Sequence, residues 1–373
     1  MPRKRSLIYI LAALIMLPFF GTVARATTID VVVTFDYPGH PTATLPQKIE
    51  DQTDLVGTVI TADGKVEAFI YKPLAHSFSP LFIPPFAHHG PTQGRGINFR
   101  RHVVGEYLNE SDGTSHGYLM THPNCTPRPS PTPTPTPTPG ANAMTPATDL
   151  PFVSEPDAGD PRCPLIFSAF DVTGALDTSP LGINNLGYIC GTATFSDGIP
   201  LAFLSVGQVA TTFAVPGATA TFAYQVNDSS QIVGYYVDSS GISHGYTRDS
   251  AGTLTYPIDV PGSSQTLLLG NNASNWVVGR YTDTSDATHG FFYVTPDDIL
   301  TYDYPGATYT SLNGINRDGL ICGYYNDTAG VSHGFVARVN LTASGKPNIN
   351  PPQPAVKPAY VAPGVAGIAM PAL

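Results

Sequence analysis

The stretch GLICGYYNDTAGVSHGFV, residues Gly319–Val336, has a near copy in QIVGYYVDSSGISHGYT, residues Gln231–Thr247. Further copies align on a key glycine that follows two apolar residues, at Gly57, Gly105, Gly191, Gly234, Gly279 and Gly323. Successive intervals are 48, 86, 43, 45 and 44 residues, and a Pro- and Thr-rich tract enlarges the long one. The chain therefore contains six repeats.

Each repeat has the pattern of four short strands separated by turns. In the last repeat these are HGFFYV, ILTYDYPG, TYTSLNGIN and LICGYYND, which are rich in Tyr, Phe, Ile and Thr. Such units cannot bury both sheet faces alone, and radial stacking is the usual all-β solution. The sequence thus predicts an all-β fold, a six-bladed β-propeller of four-stranded blades. An open array of β-repeats is the alternative.

The two ends of the repeat region hold complementary fragments. The chain enters in the second strand of a repeat, IDVVVTFDYPG (Ile29–Gly39), and leaves in the first strand of one, HGFVARV (His333–Val339). We expect these amino- and carboxyl-terminal strands to pair and to close the ring, which would hide the sheet edges of an open array.

Composition divides the 373 residues into segments. A basic start (Pro2–Arg5), an apolar run (Leu7–Phe20) and the small-residue site Ala24–Ala26 predict a cleaved signal peptide over residues 1–26. The apolar run is shorter than the roughly 20 residues of a membrane-spanning helix. The expected order is a signal peptide (1–26), repeats 1 and 2 (27–123), a Pro/Thr-rich insertion (124–164), repeats 3 to 6 (165–340) and a disordered Pro/Ala-rich tail (341–373).

The net charge of the chain disfavours some classes of binding partner. The chain has 18 Lys and Arg against 28 Asp and Glu, a net charge of −10. Removing residues 1–26 takes away four basic side chains, which makes the expected mature charge −14. This excess of negative charge disfavours nucleic acids and anionic membranes. We expect a monomer that is exported to the periplasm or the extracellular space and does not bind a membrane after signal cleavage.

The repeats resemble a bacterial extracellular repeat family named for a His-Ala-Phe (HAF) motif, from about Phe35 to Val336 apart from the insertion. The motif stands as HGF or HGY in four repeats and as EAF or LAF in the other two, at His116, His244, His289 and His333, and at Ala68 and Ala202. The resemblance implies secretion and a repeat fold. It implies no established activity and no catalytic residues.

The four motif histidines occur together with two other residue types. A tyrosine stands two positions after the key glycine, and Asp or Asn two positions further, at Tyr107, Tyr236, Tyr281 and Tyr325 and at Asn109, Asp238, Asp283 and Asp327. Repeats 1 and 3, which lack the histidine, have Val59 and Ala193 in place of the tyrosine. This joint occurrence predicts a hydrogen-bonded structural unit that pins a hairpin. A ring of metal-binding or catalytic histidines is the alternative.

A recurrent asparagine is the candidate binding residue. It recurs at Asn98, Asn184, Asn227, Asn272 and Asn316, where it ends a Gly-x-Asn step in every case but Asn227, and Glu50 takes its place in the first repeat. An asparagine at a strand end most often bonds its own turn. The alternative is a ring of amides around a central opening that binds sugar hydroxyls or a cation.

The four cysteines form two pairs with different expectations. Cys125 and Cys163 flank the insertion, next to strands that should be hairpin neighbours, so they are predicted to form a disulfide. Cys190 and Cys322 occupy equivalent positions in repeats 3 and 6. They should be buried free thiols on opposite blades.

The sequence lacks the local motifs of common hydrolases, metalloenzymes and phosphate-binding proteins. We therefore expect no metal and no cofactor. A non-enzymatic extracellular binding or adhesion scaffold for a glycan or a surface protein is favoured, and a secreted polysaccharide hydrolase or lyase on a propeller is the alternative. Carboxylates or histidines from several repeats in one pocket would favour the enzyme, whereas a uniform ring would favour the scaffold.

Overall fold

The computed structural model describes residues 27–39, 42–88, 90–121, 165–207 and 209–341, and there the chain is all-β, with 24 strands and one short 3-10 helix. None of the helices in these ranges is long and apolar enough to span a membrane. The predicted signal peptide, the insertion and the tail after residue 341 lie outside the described residues. So do Cys125 and Cys163, and their disulfide stays a prediction.

The strands group into four-stranded antiparallel units that recur along the chain. Strand β1 (Thr27–Phe35) comes first and belongs to the last unit. Unit 1 contains β2 (Ala43–Ile49), β3 (Leu55–Ile60), β4 (Val66–Lys72) and β5 (Ser77–Phe78), and the 3-10 helix η1 (Pro85–Ala87) follows it. Unit 2 contains β6 (Thr92–Ile97), β7 (Val103–Asn109), β8 (Thr114–Thr121) and β9 (Ile166–Phe170).

The later units have the same order. Unit 3 contains β10 (Asp177–Ile183), β11 (Ile189–Thr194), β12 (Pro200–Val206) and β13 (Val209–Phe213). Unit 4 contains β14 (Ala220–Val226), β15 (Ile232–Val237), β16 (Ser243–Arg248) and β17 (Leu254–Ile258). Unit 5 contains β18 (Gln265–Asn271), β19 (Val277–Thr282), β20 (Thr288–Tyr293) and β21 (Ile299–Tyr302). Unit 6 contains β22 (Tyr309–Ile315), β23 (Leu320–Asn326), β24 (Ser332–Leu341) and β1.

The units and the sequence repeats are out of step by two strands. Each sheet takes the last two strands of one sequence repeat and the first two of the next. In unit 6 the fourth strand comes from the start of the chain, because β1 pairs with β24 from Thr27↔Leu341 to Phe35↔Gly334. The strands on either side of the insertion are also neighbours, because Thr121 of β8 pairs with Ile166 of β9. The insertion therefore leaves and re-enters the fold at adjacent points.

The key glycine is required by a close approach between the first two strands of each unit. A β-bulge interrupts the first strand, for example between Ala223 and Gln225 in unit 4. A Cβ atom added to Gly234 would collide with the carbonyl oxygen of Phe222 on that strand. The other five key glycines face an equivalent carbonyl. The repeated apolar-apolar-Gly step is thus the sequence signature of this contact.

The aromatic residue of the HGF, HGY, EAF or LAF motif packs against the key glycine of its own unit. These six side chains are fully buried, at Phe69, Tyr118, Phe203, Tyr246, Phe291 and Phe335. The two tyrosines donate their hydroxyl hydrogens to backbone carbonyls, as buried tyrosines usually do. Glycine leaves the space that the ring fills, so the two parts of the repeat motif form one contact.

Successive units bury their sheet faces against each other. Val56 of unit 1 and Val103 of unit 2 lie in one apolar cluster, and Leu320 of unit 6 and Leu55 of unit 1 lie in another. The two remaining cysteines belong to such clusters: Cys190 and Cys322 are fully buried and free, as predicted. Burial raises the pKa of each thiol to about 12.

Candidate functional site

The five candidate asparagines form a chain of hydrogen bonds between units. Each Nδ2 donates to the backbone carbonyl of the equivalent residue in the next unit. The links run from Asn98 to Asn184 (3.1 Å), Asn184 to Asn227 (3.0 Å), Asn227 to Asn272 (2.8 Å), Asn272 to Asn316 (3.0 Å) and Asn316 to Glu50 (3.3 Å). The last link joins unit 6 to unit 1.

The amide oxygens of the same asparagines bond their own turns. Asn227 Oδ1 accepts hydrogen bonds from the N–H groups of Ser229 and Gln231, at 3.0 and 2.9 Å. The other four repeat this pattern, and all five residues are at most 4% exposed. Both lone pairs of each oxygen are therefore used by the protein. Their role as ligand-binding residues stays a prediction, and this geometry favours the structural role, in which each asparagine bonds its own turn.

Glu50 differs chemically from the asparagines that it replaces. Its carboxylate accepts hydrogen bonds from the N–H groups of Gln52 (2.7 Å) and Asp54 (2.8 Å), so it closes the same kind of turn. It has no side-chain N–H to donate to the next unit. Burial raises the pKa of Glu50 to about 8, and the nearby charges of Asp54 and Asp51 add to this effect.

A shallow pocket lies beside the amide chain. Asp51 borders it and accepts hydrogen bonds from the Arg317 N–H (2.9 Å) and from Asn185 Nδ2 (3.3 Å). Gln225 and Asn271 also line it, and their side-chain oxygens are buried without a hydrogen-bond partner among the described residues. The carboxylates at this end are thus used to hold turns, and two amide oxygens retain unused acceptor capacity.

Each motif histidine lies between two carboxylates and against a tyrosine ring. The distances from Nδ1 and Nε2 to the carboxylates are 3.1 and 3.6 Å for His116 (Asp171, Asp112), 2.8 and 3.6 Å for His244 (Asp259, Asp238), 2.8 and 3.4 Å for His289 (Asp303, Asp283), and 3.0 and 3.5 Å for His333 (Asp36, Asp327). The ring-centroid distances are 5.6 Å for Tyr107–His116, 5.4 Å for Tyr236–His244, 5.0 Å for Tyr281–His289 and 5.2 Å for Tyr325–His333. The structure therefore brings the predicted tyrosine, aspartate and histidine together within one unit.

Unit 2 departs from the predicted pattern at the acidic position. The residue aligned with the other aspartates is Asn109, but the carboxylate that approaches His116 is Asp112, three residues later. Asn109 Nδ2 donates a hydrogen bond to that carboxylate at 2.7 Å. The longer hairpin NESDG supplies the acid from its tip.

Sequence reasoning missed the second carboxylate of each cluster. Asp36, Asp171, Asp259 and Asp303 begin Asp-x-Pro-Gly or Asp-x-Thr-Gly turns that follow the fourth strand. The signal was present, because repeat 3 lacks the histidine and has Ala214 at the aspartate position. In unit 6 the pair His333–Asp36 holds β1 against β24. The histidines thus fasten fourth strands to third strands, and no group of three or more metal-ligating side chains occurs in the described ranges.

A third set of polar residues follows the key glycines, and it contains four residue types in six units. These residues are Thr58, Glu106, Thr192, Tyr235, Arg280 and Tyr324. Several of them interact with side chains of the first strands. We define the cation–tyrosine cluster as Lys48, Arg95, Arg280, Tyr224, Tyr235, Tyr309 and Tyr324. Sequence reasoning missed this cluster, because Lys48, Arg95 and Arg280 each stand at a position that other residue types occupy in the remaining units.

Lys48 connects distant units within this cluster. Its Nζ donates hydrogen bonds to the carbonyls of Leu269 in unit 5 (2.6 Å) and Asn313 in unit 6 (2.9 Å), and it lies 5.8 Å from the ring centre of Tyr224 in unit 4. Burial lowers the pKa of Lys48 to about 8, and the charge of Arg95 contributes to the lowering. Residues from four units therefore meet around this ammonium group.

The two arginines have different partners. Arg95 donates to Glu106 from Nε (3.1 Å) and from a terminal nitrogen (2.7 Å). The guanidinium of Arg280 lies 6.0 Å from the ring centre of Tyr309, whose hydroxyl is 3.1 Å from that of Tyr324. Arg280 has no ion pair or hydrogen bond to any residue that the structure describes.

Comparisons with known proteins find only a distant similarity, and it is to solved structures. No family model matches the sequence, and no curated protein matches it significantly. Among solved structures, TolB from Acinetobacter baumannii is 10% identical over 82% of this chain and 67% of that chain, with a TM-score of 0.44. AofleA from Arthrobotrys oligospora is 10% identical over 86% and 91% with a TM-score of 0.48, and the gluconolactonase XC5397 from Xanthomonas campestris is 10% identical over 81% and 88% with a TM-score of 0.44. The chain is thus similar to these structures only at a level that assigns no function.

Proposed function

We propose that the chain is a closed six-bladed β-propeller of the HAF repeat type that acts as an exported, non-enzymatic binding scaffold. Three observations support the ring. β1 pairs with β24, Asn316 of unit 6 bonds the Glu50 carbonyl of unit 1, and units 6 and 1 share an apolar cluster. In such a ring the first strands surround the axis, so the cation–tyrosine cluster would line the axial opening.

The observation that supports the binding function is that the recurrent polar residues and the non-recurrent ones have different partners. Those that recur, the asparagines and the His–Asp pairs, join strands and units. Those that follow the key glycines are of four types, Thr, Glu, Tyr and Arg. With residues of the first strands they bring together cations, hydroxyls and aromatic rings. A regular frame with an irregular polar lining is suited to the recognition of one ligand.

The chemistry of the cluster favours binding over catalysis. Glycoside hydrolysis uses two carboxyl groups, whereas Glu106 is the carboxylate at this cluster and Arg95 binds it. A lyase needs a base to remove a proton, and burial raises the pKa of Tyr235 and Tyr309, which disfavours the ionised form that could act as a base. Burial lowers the pKa of Lys48 to about 8, but two backbone carbonyls accept hydrogen bonds from its ammonium group and hold it in place. These contacts favour binding of a ligand over proton removal.

A glycan array with product analysis tests this function. The exported full chain should retain at least one glycan, and the bound glycan should be recovered intact. Changing Tyr309 and Tyr324 together to phenylalanine removes two hydroxyls and keeps both rings, so it should weaken retention. Tyr256→Phe is the matched control, since Tyr256 is 39% exposed and lies outside the cluster. Cleaved glycan would favour the hydrolase or lyase, and retention of neither a glycan nor a surface protein would overturn the scaffold.

A further inference from the structure

We propose that the cation–tyrosine cluster binds the carboxylate of an acidic sugar, with Arg280 as the anchor of that carboxylate. This inference rests on the proposed binding function and names its ligand class. It comes from the pairing of the charges, the solvent access of Arg280 and the hydrogen-bonding groups around it.

The charge balance of the cluster leaves two cations without a carboxylate, Lys48 and Arg280, and of these Arg280 also lacks a hydrogen bond to the described residues. Arg95 is neutralised by Glu106 at 2.7 Å. Lys48 is only 4% exposed, and its ammonium group donates hydrogen bonds to two backbone carbonyls, which hold it in place. Arg280 has five N–H donors, a permanent charge and no carboxylate among the described residues. In a chain of net charge −10, this is a local positive site.

Solvent can reach Arg280 although the site is enclosed. Arg280, Tyr309 and Tyr324 are each half-buried. Ion pairs in such partly desolvated surroundings are stronger than at an open surface. The planar fork of a guanidinium matches the two oxygens of a carboxylate, so one bidentate contact satisfies both groups.

The surrounding groups suit a hydroxylated ring. The Tyr309 and Tyr324 hydroxyls are 3.1 Å apart, so one donates to the other, and the Tyr309 ring lies against the Arg280 guanidinium. Phenolic hydroxyls can hydrogen-bond sugar hydroxyls, and tyrosine rings can pack against the C–H face of a sugar ring.

Titration calorimetry on the full chain with sodium glucuronate tests the assignment. Glucuronate should bind saturably, and glucose, which has a similar ring without the carboxylate, should bind at least tenfold more weakly. Inorganic phosphate can also bind a guanidinium through two oxygens, but it should bind at least tenfold more weakly than glucuronate, because it lacks the sugar ring that would contact the tyrosines. Arg280→Gln should weaken glucuronate binding tenfold or more, and Arg280→Lys should give an intermediate affinity because it keeps the charge and loses the fork.

Arg338→Gln is the matched control, since Arg338 is an exposed arginine on β24, and it should leave the affinity unchanged. Arg280→Gln should keep the parental unfolding temperature, because Arg280 makes no hydrogen bond to the described protein. If the Arg280→Gln protein unfolds at a lower temperature, the affinities of the Arg280→Lys and Tyr309→Phe proteins for glucuronate test the proposal instead. Equal affinity of parent and Arg280 variants, or equal binding of phosphate, would overturn the proposal. If glucuronate does not bind but the array retains a neutral glycan, only the acidic-sugar assignment is wrong. If the protein retains no ligand at all, the scaffold function is wrong as well.

Discussion

Glu50→Asn is expected to stabilise the protein, because Glu50 is the carboxyl group in an otherwise amide-based series of links between units. Asn316 donates to the Glu50 carbonyl, but Glu50 has no side-chain N–H to give to the carbonyl of Asn98. Asn98 itself donates to Asn184, as its counterparts do in the other units. An asparagine at position 50 would supply the missing donor and keep an oxygen for its own turn.

The magnitude follows from the buried charge. Burial raises the pKa of Glu50 from its ordinary value of 4.5 to about 8. Between these two values the unfolded chain releases a proton that the folded protein keeps, so stability falls as the pH rises from 4.5 towards 8. At about 1.4 kcal/mol per pH unit, the loss at pH 7 is about 3 kcal/mol. The new hydrogen bond adds about 1 kcal/mol. The free energy of unfolding should therefore rise by about 1 to 4 kcal/mol at pH 7.

Urea unfolding followed by the fluorescence of Trp276, the one tryptophan of the chain, measures this change. The stabilisation should be larger at pH 8 than at pH 4.5, where Glu50 is protonated in the folded parent and half protonated in the unfolded chain, so that the buried charge costs little. Glu110→Asn replaces an exposed glutamate and should change stability by less than about 0.5 kcal/mol. A less stable Glu50→Asn protein at pH 8, or a gain that does not depend on pH, would refute the argument from buried charge.

The His–Asp pairs predict a second pH dependence: burial alone would lower the pKa of His333, but Asp36 and a second carboxylate outweigh it and raise the pKa above 6.5. His333→Ala should therefore lower the free energy of unfolding by about 1 kcal/mol below pH 6, and by less as the pH rises through the folded-state pKa of His333. Urea unfolding at pH 5.5 and pH 8.5 measures this difference, and an equal loss at both pH values would contradict the role of the charge. Gly234→Ala places a methyl group against a backbone carbonyl and should cost about 3 kcal/mol or prevent folding, as a shift of thermal unfolding by circular dichroism would show. Non-reducing peptide mass spectrometry of the exported protein should find Cys125 linked to Cys163, and two alkylated thiols at these positions would refute the link.

The repeat pattern alone predicted the strands and the local contacts. Glycine and aromatic residues recur at fixed offsets, because every unit needs the same close approach of its first two strands. The Tyr–Asp–His association was also readable, since Tyr236 and His244 face each other across one hairpin and are close in sequence. The second carboxylate, Asp259 in unit 4, also recurs with the histidine, so comparison of the repeats carries a signal for this pair too.

Only the tertiary structure decided what meets between units. The direction in which Asn227 donates, towards the carbonyl of Asn272, depends on how one sheet stacks on the next, and no spacing within a repeat specifies it. The cation–tyrosine cluster shows this dependence on tertiary structure more strongly. Lys48 and Arg280 come from different units and stand at positions that hold other residue types in the remaining units, so periodicity carries no information about their meeting. A repeated sequence determines a repeated frame, because each unit satisfies the same backbone and packing requirements, whereas the residues that break the repeat acquire a common role only when folding brings them together.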